Sequence, residues 1–224
     1  MPYVVCAEEV EDRWVAHVPD LPGCFASDKE RDEAINAVPA AIQEYVAWCS
    51  GHGLHVSGIS GPMVVDEVIR SWMYEDDYEV NAFFAADRPP ILPDEVGEIQ
   101  LLLSATRSDL SSAVADLDEE ALLKELAGER WPVAGILGHL AGSEWWYLDR
   151  LGLAFSRADL PEDPFERLRT VRDHLLASLP VLPRRLGVVT LGGETWSARK
   201  LIRRTLWHER NHTHHILRLR TRLA

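Results

Sequence analysis

Near the C-terminus, Leu201, Thr205, His208, His212, His215 and Leu219 recur at three- and four-residue intervals. In a helix these positions form one stripe. Leucines bracket the histidines, so the stripe faces a protein interior, and any fold of this chain has to place several imidazoles on a core-facing line. His208 and His212 stand four residues apart, one helical turn of about 5.4 Å, which lets both rings point at a single metal ion. His139 is flanked by Ile136, Leu137 and Leu140 and is expected on the apolar face of another helix. Three imidazoles would leave a position open for water or substrate, as in catalytic zinc centres. The competing reading is a set of core histidines satisfied by protein partners. Each buried imidazole carries polar nitrogens into the core, and protonating several together adds repulsion. A bound cation removes both problems, but spacing alone leaves the two readings open.

The surrounding pattern predicts four amphipathic helices. Ile99, Leu102, Leu103, Thr106, Leu110, Val114 and Leu117 share a face over 94–117. Trp131-Pro132 opens a second helix that runs to about Leu151, with proline in the first turn where no amide is needed. Asp163 and Pro164 start a third, through Leu168, Val171, Leu175 and Leu179. Thr195 is the expected cap of the fourth. Helices of this kind with short or medium links predict an up-down four-helix bundle over 93–224. Glu144, five residues after His139, points to another side of its helix and is expected to support structure or line the rim. Glu209 follows His208 directly, which suits a surface or interhelical ion pair better than a general base. Trp131 is expected to pack or to wall the pocket, and His174 to be structural.

The first half reads as α+β. Tyr3–Ala7, Arg13–Val18 and Cys24–Ser27 are β-prone, with a reversal at Pro19-Asp20-Leu21-Pro22-Gly23. Residues 32–48 show helical spacing, and a fourth strand is expected around His55–Ile59. Residues 61–92 read as a connector with room for a strand or a helix at 63–73; it holds an acidic loop at 74–79 and ends in Pro89-Pro90. The domains expected are therefore 1–60, a connector at 61–92, and 93–224.

Two resemblances add to this reading. YVVCAEE, WVAHVPDLPGCFASD and EAINAVPAAIQEYVAW resemble the HicB-like antitoxin fold, which implies a small ribonuclease-H-like sheet that binds a partner protein. WPVAGILGHLAGSEWWYLDRL and RRTLWHERNHTHHILRL resemble the DinB family of metal-binding four-helix bundles, with its YfiT-like and thiol-dependent transferase branches. That family has one histidine in the second helix and His-x-x-x-His in the fourth, a pattern that His139, His208 and His212 match. The resemblance implies zinc or nickel as the metal and, in some members, a low-molecular-weight thiol such as mycothiol or bacillithiol. His215 stands where the family often has glutamine, in a position to support a ligand or line the pocket.

Charge narrows the partners. The net charge is -13. Residues 1–95 hold 5 Lys+Arg against 19 Asp+Glu, so the acidic excess lies there and disfavours a nucleic-acid grip. No apolar run is long enough to span a bilayer, the N-terminus shows no signal-peptide pattern, and the three cysteines lack metal or disulfide spacing. A cytoplasmic protein is expected, without membrane or nucleic-acid partners. No P-loop, G-x-G-x-x-G, G-x-S-x-G or C-x-x-C motif is present. The sequence thus predicts a divalent-metal-dependent enzyme acting on a small molecule, a thiol transferase or hydrolase, and a homodimer. The alternative is a metal-stabilised regulatory module that recognises a protein through the N-terminal domain.

Overall fold

Strands β1 (Tyr3–Val10) and β2 (Arg13–His17) are joined by Glu11-Asp12, both with positive φ, 51° and 58°. That left-handed pair supplies the twist a two-residue hairpin needs, and it sets the register from Val10 opposite Arg13 to Cys6 opposite His17. β3 (Phe25–Asp28) adds antiparallel to β2, and β4 (Met63–Arg70) adds parallel to β1, giving the order β3-β2-β1-β4. A parallel neighbour requires a crossover, which α1 (Arg31–Asn36) and α2 (Val38–Gly51) provide. The single helix expected over 32–48 is interrupted at Ala37, because Pro39 has no N–H to offer the preceding turn. Tyr45 of α2 donates from its hydroxyl to the Pro22 carbonyl at 2.7 Å, tying the helix to the predicted reversal.

The computed structural model describes residues 2–56, 61–74 and 78–223. Residues 57–59 of the expected fourth strand lie outside that set, and His55-Val56 is irregular. The strand that pairs with β1 is instead β4, within the expected connector. β5 (Trp72–Tyr74) pairs with β6 (Tyr78–Val80); residues 75–77 of the expected acidic loop also lie outside the described residues. β7 (Val189–Leu191) and β8 (Glu194–Trp196) form a hairpin through Gly192-Gly193, both at positive φ. A Cβ on Gly193 would come within 2.8 Å of the Trp72 and Tyr74 rings, so only glycine fits there.

The chain divides into two compact units: Met1–Pro89 with Gly187–Arg203, and Pro90–Leu186 with Arg204–Ala224. The division falls inside the last helix, α7 (Ala198–Leu223). Ser197, not the expected Thr195, caps that helix. Its hydroxyl accepts from the Lys200 amide at 3.0 Å, while Thr195 is committed to β8. Within the first unit, charges are buried in pairs. Arg203 binds Asp87 through two 2.9 Å contacts and Glu8 at 3.2 Å; His17 Nε2 lies 2.8 Å from Glu8; Lys200 lies 2.6 Å from Glu194. Such pairing is what makes buried charge tolerable.

The second unit is helical. It contains α3 (Glu95–Val114), α4 (Glu119–Leu123), α5 (Val133–Arg150), α6 (Pro164–Ser178) and the remainder of α7. Asp163 caps α6 by accepting from the Phe165 and Glu166 amides, with Pro164 in the first turn. Pro132 sits just before α5, at its cap rather than inside its first turn. Leu110, Ala113 and Val114 of α3, Ile136, Leu137, Leu140 and Ala141 of α5, Leu168 of α6, and Ile216 and Leu219 of α7 share one core. The fold is mixed α/β, with an N-terminal four-stranded sheet and a helical C-terminal region. Among the described residues no helix is long and apolar enough to cross a membrane.

Candidate metal centre

Leu201, Leu206, Ile216 and Leu219 are buried along α7, and their burial fixes which side of the helix turns inward. That rotation carries His208 and His212 inward one turn apart, opposite His139 on α5. His139 Nε2 lies 3.1 Å from His208 Nε2, and His212 Nε2 lies 3.1 Å from the same atom. The three rings each offer a nitrogen within 4.8 Å of the others. Tetrahedral zinc with Zn–N bonds of about 2.0–2.1 Å sets its nitrogens about 3.3 Å apart, so the donor set fits a small divalent cation. His208 is buried, while His139 and His212 are half-buried, so the cluster opens toward solvent on their side.

Burial and mutual proximity keep the rings neutral. Burial, reinforced by Arg130, lowers His139 to about 4. Burial, with His139 and His215 adding to it, lowers His212 to about 3. His208 falls well below its ordinary value, from burial first and then from His212, His139 and Arg204. Neutral imidazole is the ligand form. His212 Nδ1 is buried without a hydrogen-bond partner, so that ring's polar contact within the protein runs through Nε2.

Two indoles wall the cluster. Trp131 stacks on His139 with centroids 4.7 Å apart and 28° between planes, and Trp207 stacks on His208 at 5.7 Å and 28°. Tyr147 meets His208 edge-on at 6.3 Å. Of the residues expected around the site, Trp131 is therefore in place. His215 stands beside it, 6.1 Å from the His212 ring, with its Nε2 on Glu129 at 2.9 Å. Glu144 points elsewhere. Its carboxylate is clasped by Arg172 Nε and Nη2 at 2.9 and 2.8 Å and touched by Arg107 at 3.4 Å.

Glu209 joins the same ionic cluster, as an interhelical pair rather than a base. Arg107 donates to it at 2.6 Å, Arg172 at 2.8 Å, and the Thr106 hydroxyl also donates to it. Burial alone would raise the Glu209 carboxyl, but the Arg172 and Arg107 guanidiniums overcome this and hold it below its ordinary value. His174 bonds the Leu153 carbonyl at 2.6 Å, a structural contact as expected. A separate cavity of about 520 Å³, lined by Leu110, Val114, Leu137, Phe165 and Leu168, has no residue of the triad in its wall.

Sequence reasoning missed Arg130 and the Arg107–Arg172 pair. The signal for the first was available, since Arg130-Trp131 immediately precedes the helix that carries His139. The signal for the pair was weak: Arg107 and Arg172 lie on helices with no chemical motif, and only the burial of their partners makes them conspicuous.

A family model described as the DinB superfamily matches residues 102–216, a span that includes all three histidines. No curated protein and no solved structure matches the chain.

Proposed function

The chain belongs to the DinB superfamily, and on that premise we propose that it is a divalent-metal-dependent enzyme acting on a small molecule, with His139, His208 and His212 as the metal ligands. The observation that carries this reading is the convergence of three neutral imidazoles, with the His139 and His212 nitrogens each 3.1 Å from His208 Nε2 and all three within 4.8 Å of one another, and with no carboxylate paired to any of the rings among the described residues. Zinc or nickel fits an all-nitrogen donor set. When bound, such a cation supplies Lewis acidity toward a water or a low-molecular-weight thiol at neutral pH. Three protein ligands leave room for that partner. The reactions in view are thiol transfer to a small electrophile, or hydrolysis. As part of the same reading, α3, α5, α6 and α7 form an up-down four-helix bundle, and three free buried cysteines suit a reducing, cytoplasmic setting.

The protein's own residues do the positioning. Trp131 and Trp207 hold the His139 and His208 rings by stacking. Glu144 and Glu209 are engaged by Arg172 and Arg107, so neither is available as a proton acceptor at the site. Elemental analysis of the untagged protein tests the reading. Near-stoichiometric zinc or nickel is expected, lost in His208→Ala/His212→Ala. A native protein that contains no metal and takes none up from excess would sink it.

A second reading has its own observation. Val64, Val65, Val68, Trp72, Met73 and Tyr74 are all exposed, a concentration of large apolar side chains in one short stretch of chain that suits a protein interface. It favours association through the N-terminal unit, with a second copy of the chain or with another protein, as the resemblance to the HicB-like fold implies. Sedimentation of the full chain against Val68→Asp/Trp72→Asp decides the self-association form: a dimer that dissociates in the variant supports it, and a monomer in both removes it.

A further inference from the structure

The ligand class of the proposed centre follows from what flanks it, an inference that rests on the metal reading above. The guanidinium of Arg130 sits 4.2 Å over the Trp131 ring, and Trp131 in turn stacks on His139. On the second ring, Arg204 sits 4.4 Å over Trp207, which stacks on His208. Each of these two histidines is thus backed by an indole and a fixed cation.

Carboxylates close to the triad have partners of their own. Glu129 is shared by His215 at 2.9 Å and Arg222 at 2.6 Å. Glu144 and Glu209 are committed to Arg107 and Arg172.

The two arginines differ in access. Arg204 is buried, whereas Arg130 is exposed, beside the half-buried His139. An aromatic face beneath a guanidinium attracts it and limits its rotation, while its N–H fork remains a match for a planar carboxylate. We propose that the centre takes small-molecule carboxylates, with Arg130 anchoring the carboxylate next to His139 and Trp131 as the platform that holds Arg130 in place.

The test uses the full chain loaded with cobalt(II), titrated with benzoate and with benzamide, which share a shape and differ in charge. Binding is read by calorimetry and by the visible spectrum of the bound cobalt. Benzoate is expected to bind at least about tenfold tighter than benzamide, the scale of a charge-assisted hydrogen bond. Arg130→Gln should weaken benzoate about tenfold at unchanged cobalt content and leave benzamide as it was. Arg130→Lys should recover only part of the loss, since an ammonium cannot make the fork. Equal binding of the two probes by the cobalt-loaded protein, or an Arg130→Gln variant that binds benzoate as tightly as the native chain, overturns the inference alone. A protein that takes up no cobalt overturns the metal reading, and the inference with it.

Discussion

Two clusters of polar side chains are buried on the same pair of helices. Glu144 lies five residues after His139 on α5, and Glu209 directly follows His208 on α7, yet the clusters behave as opposites. In the ionic one, each charge meets an opposite charge. Arg172 clasps Glu144, reaches Glu209 and donates to the Leu103 carbonyl; Arg107 touches both carboxylates and the Leu168 carbonyl; Thr106 donates to Glu209. In the imidazole one, nitrogens face nitrogens at 3.1 Å and burial has driven off the protons. The first cluster is complete as it stands and holds α3, α5, α6 and α7 together. On the proposed reading, the second is completed by a cation that accepts three lone pairs. A buried network whose polar groups are all answered is architecture, whereas one whose ring nitrogens converge on each other is a candidate site.

The largest effect that would break this contrast is on the ionic side. Arg172→Ala leaves Glu144 and Glu209 buried with Arg107 as their one remaining guanidinium, and breaking a buried pair in this way costs about 3–5 kcal/mol. The urea midpoint should fall accordingly with an unchanged slope. A loss under about 1 kcal/mol would mean that the cluster is not the brace described here.

Part of the imidazole cluster was legible in the sequence because helical periodicity and ligand spacing coincide in it: Leu201 and Leu219 orient the helix and His208 and His212 follow at a four-residue step, while the resemblance to the DinB family joined His139 to them. The first three strands and the crossover helices were legible for a similar reason, with alternation and turn residues agreeing. What was not legible depended on partners far along the chain. β4 was legible only as a strand or a helix because its exposed Val64, Val65 and Val68 lack a clean alternation, and its place in the sheet is set by β1, sixty residues earlier. Ser197 and Thr195 are both sound caps by residue type, and the choice was made by the β7–β8 hairpin claiming Thr195. Glu144 reads as either a structural or a rim residue until Arg172 is brought against it.

Acid separates the two clusters by the pH at which each begins to fail. In metal-free protein the histidines have folded pKa values lowered to about 4 for His139 and about 3 for His212, against about 6.5 unfolded. The unfolded chain therefore binds protons first, and stability falls as pH drops below about 6.5, by about 1.4 kcal/mol per pH unit for each ring, levelling off only near the folded values. Glu209 is also lowered, but from an ordinary carboxylate value, so its contribution is intact at pH 5 and lost below about 4.5. Unfolding followed from pH 7 to pH 5 in chelator-treated protein isolates the histidine part. A flat profile across that window would contradict the neutral, buried imidazoles.

The smallest effect sharpens the contrast most, because its sign changes. His212→Leu removes a ring whose Nδ1 is buried without a partner and puts an apolar side chain of similar bulk in its place. Removing an unanswered polar group in exchange for apolar volume is close to neutral or stabilising, so the metal-free variant should match or exceed the native chain by up to about 1 kcal/mol. In the presence of the metal the order reverses. The native chain then gains stability with metal concentration by mass action, while the variant, short of one ligand, gains far less. Paired urea titrations with chelator and with added zinc read both signs. If His212→Leu destabilises the metal-free protein as strongly as Arg172→Ala does, the imidazoles are structural in the same sense as the ionic cluster.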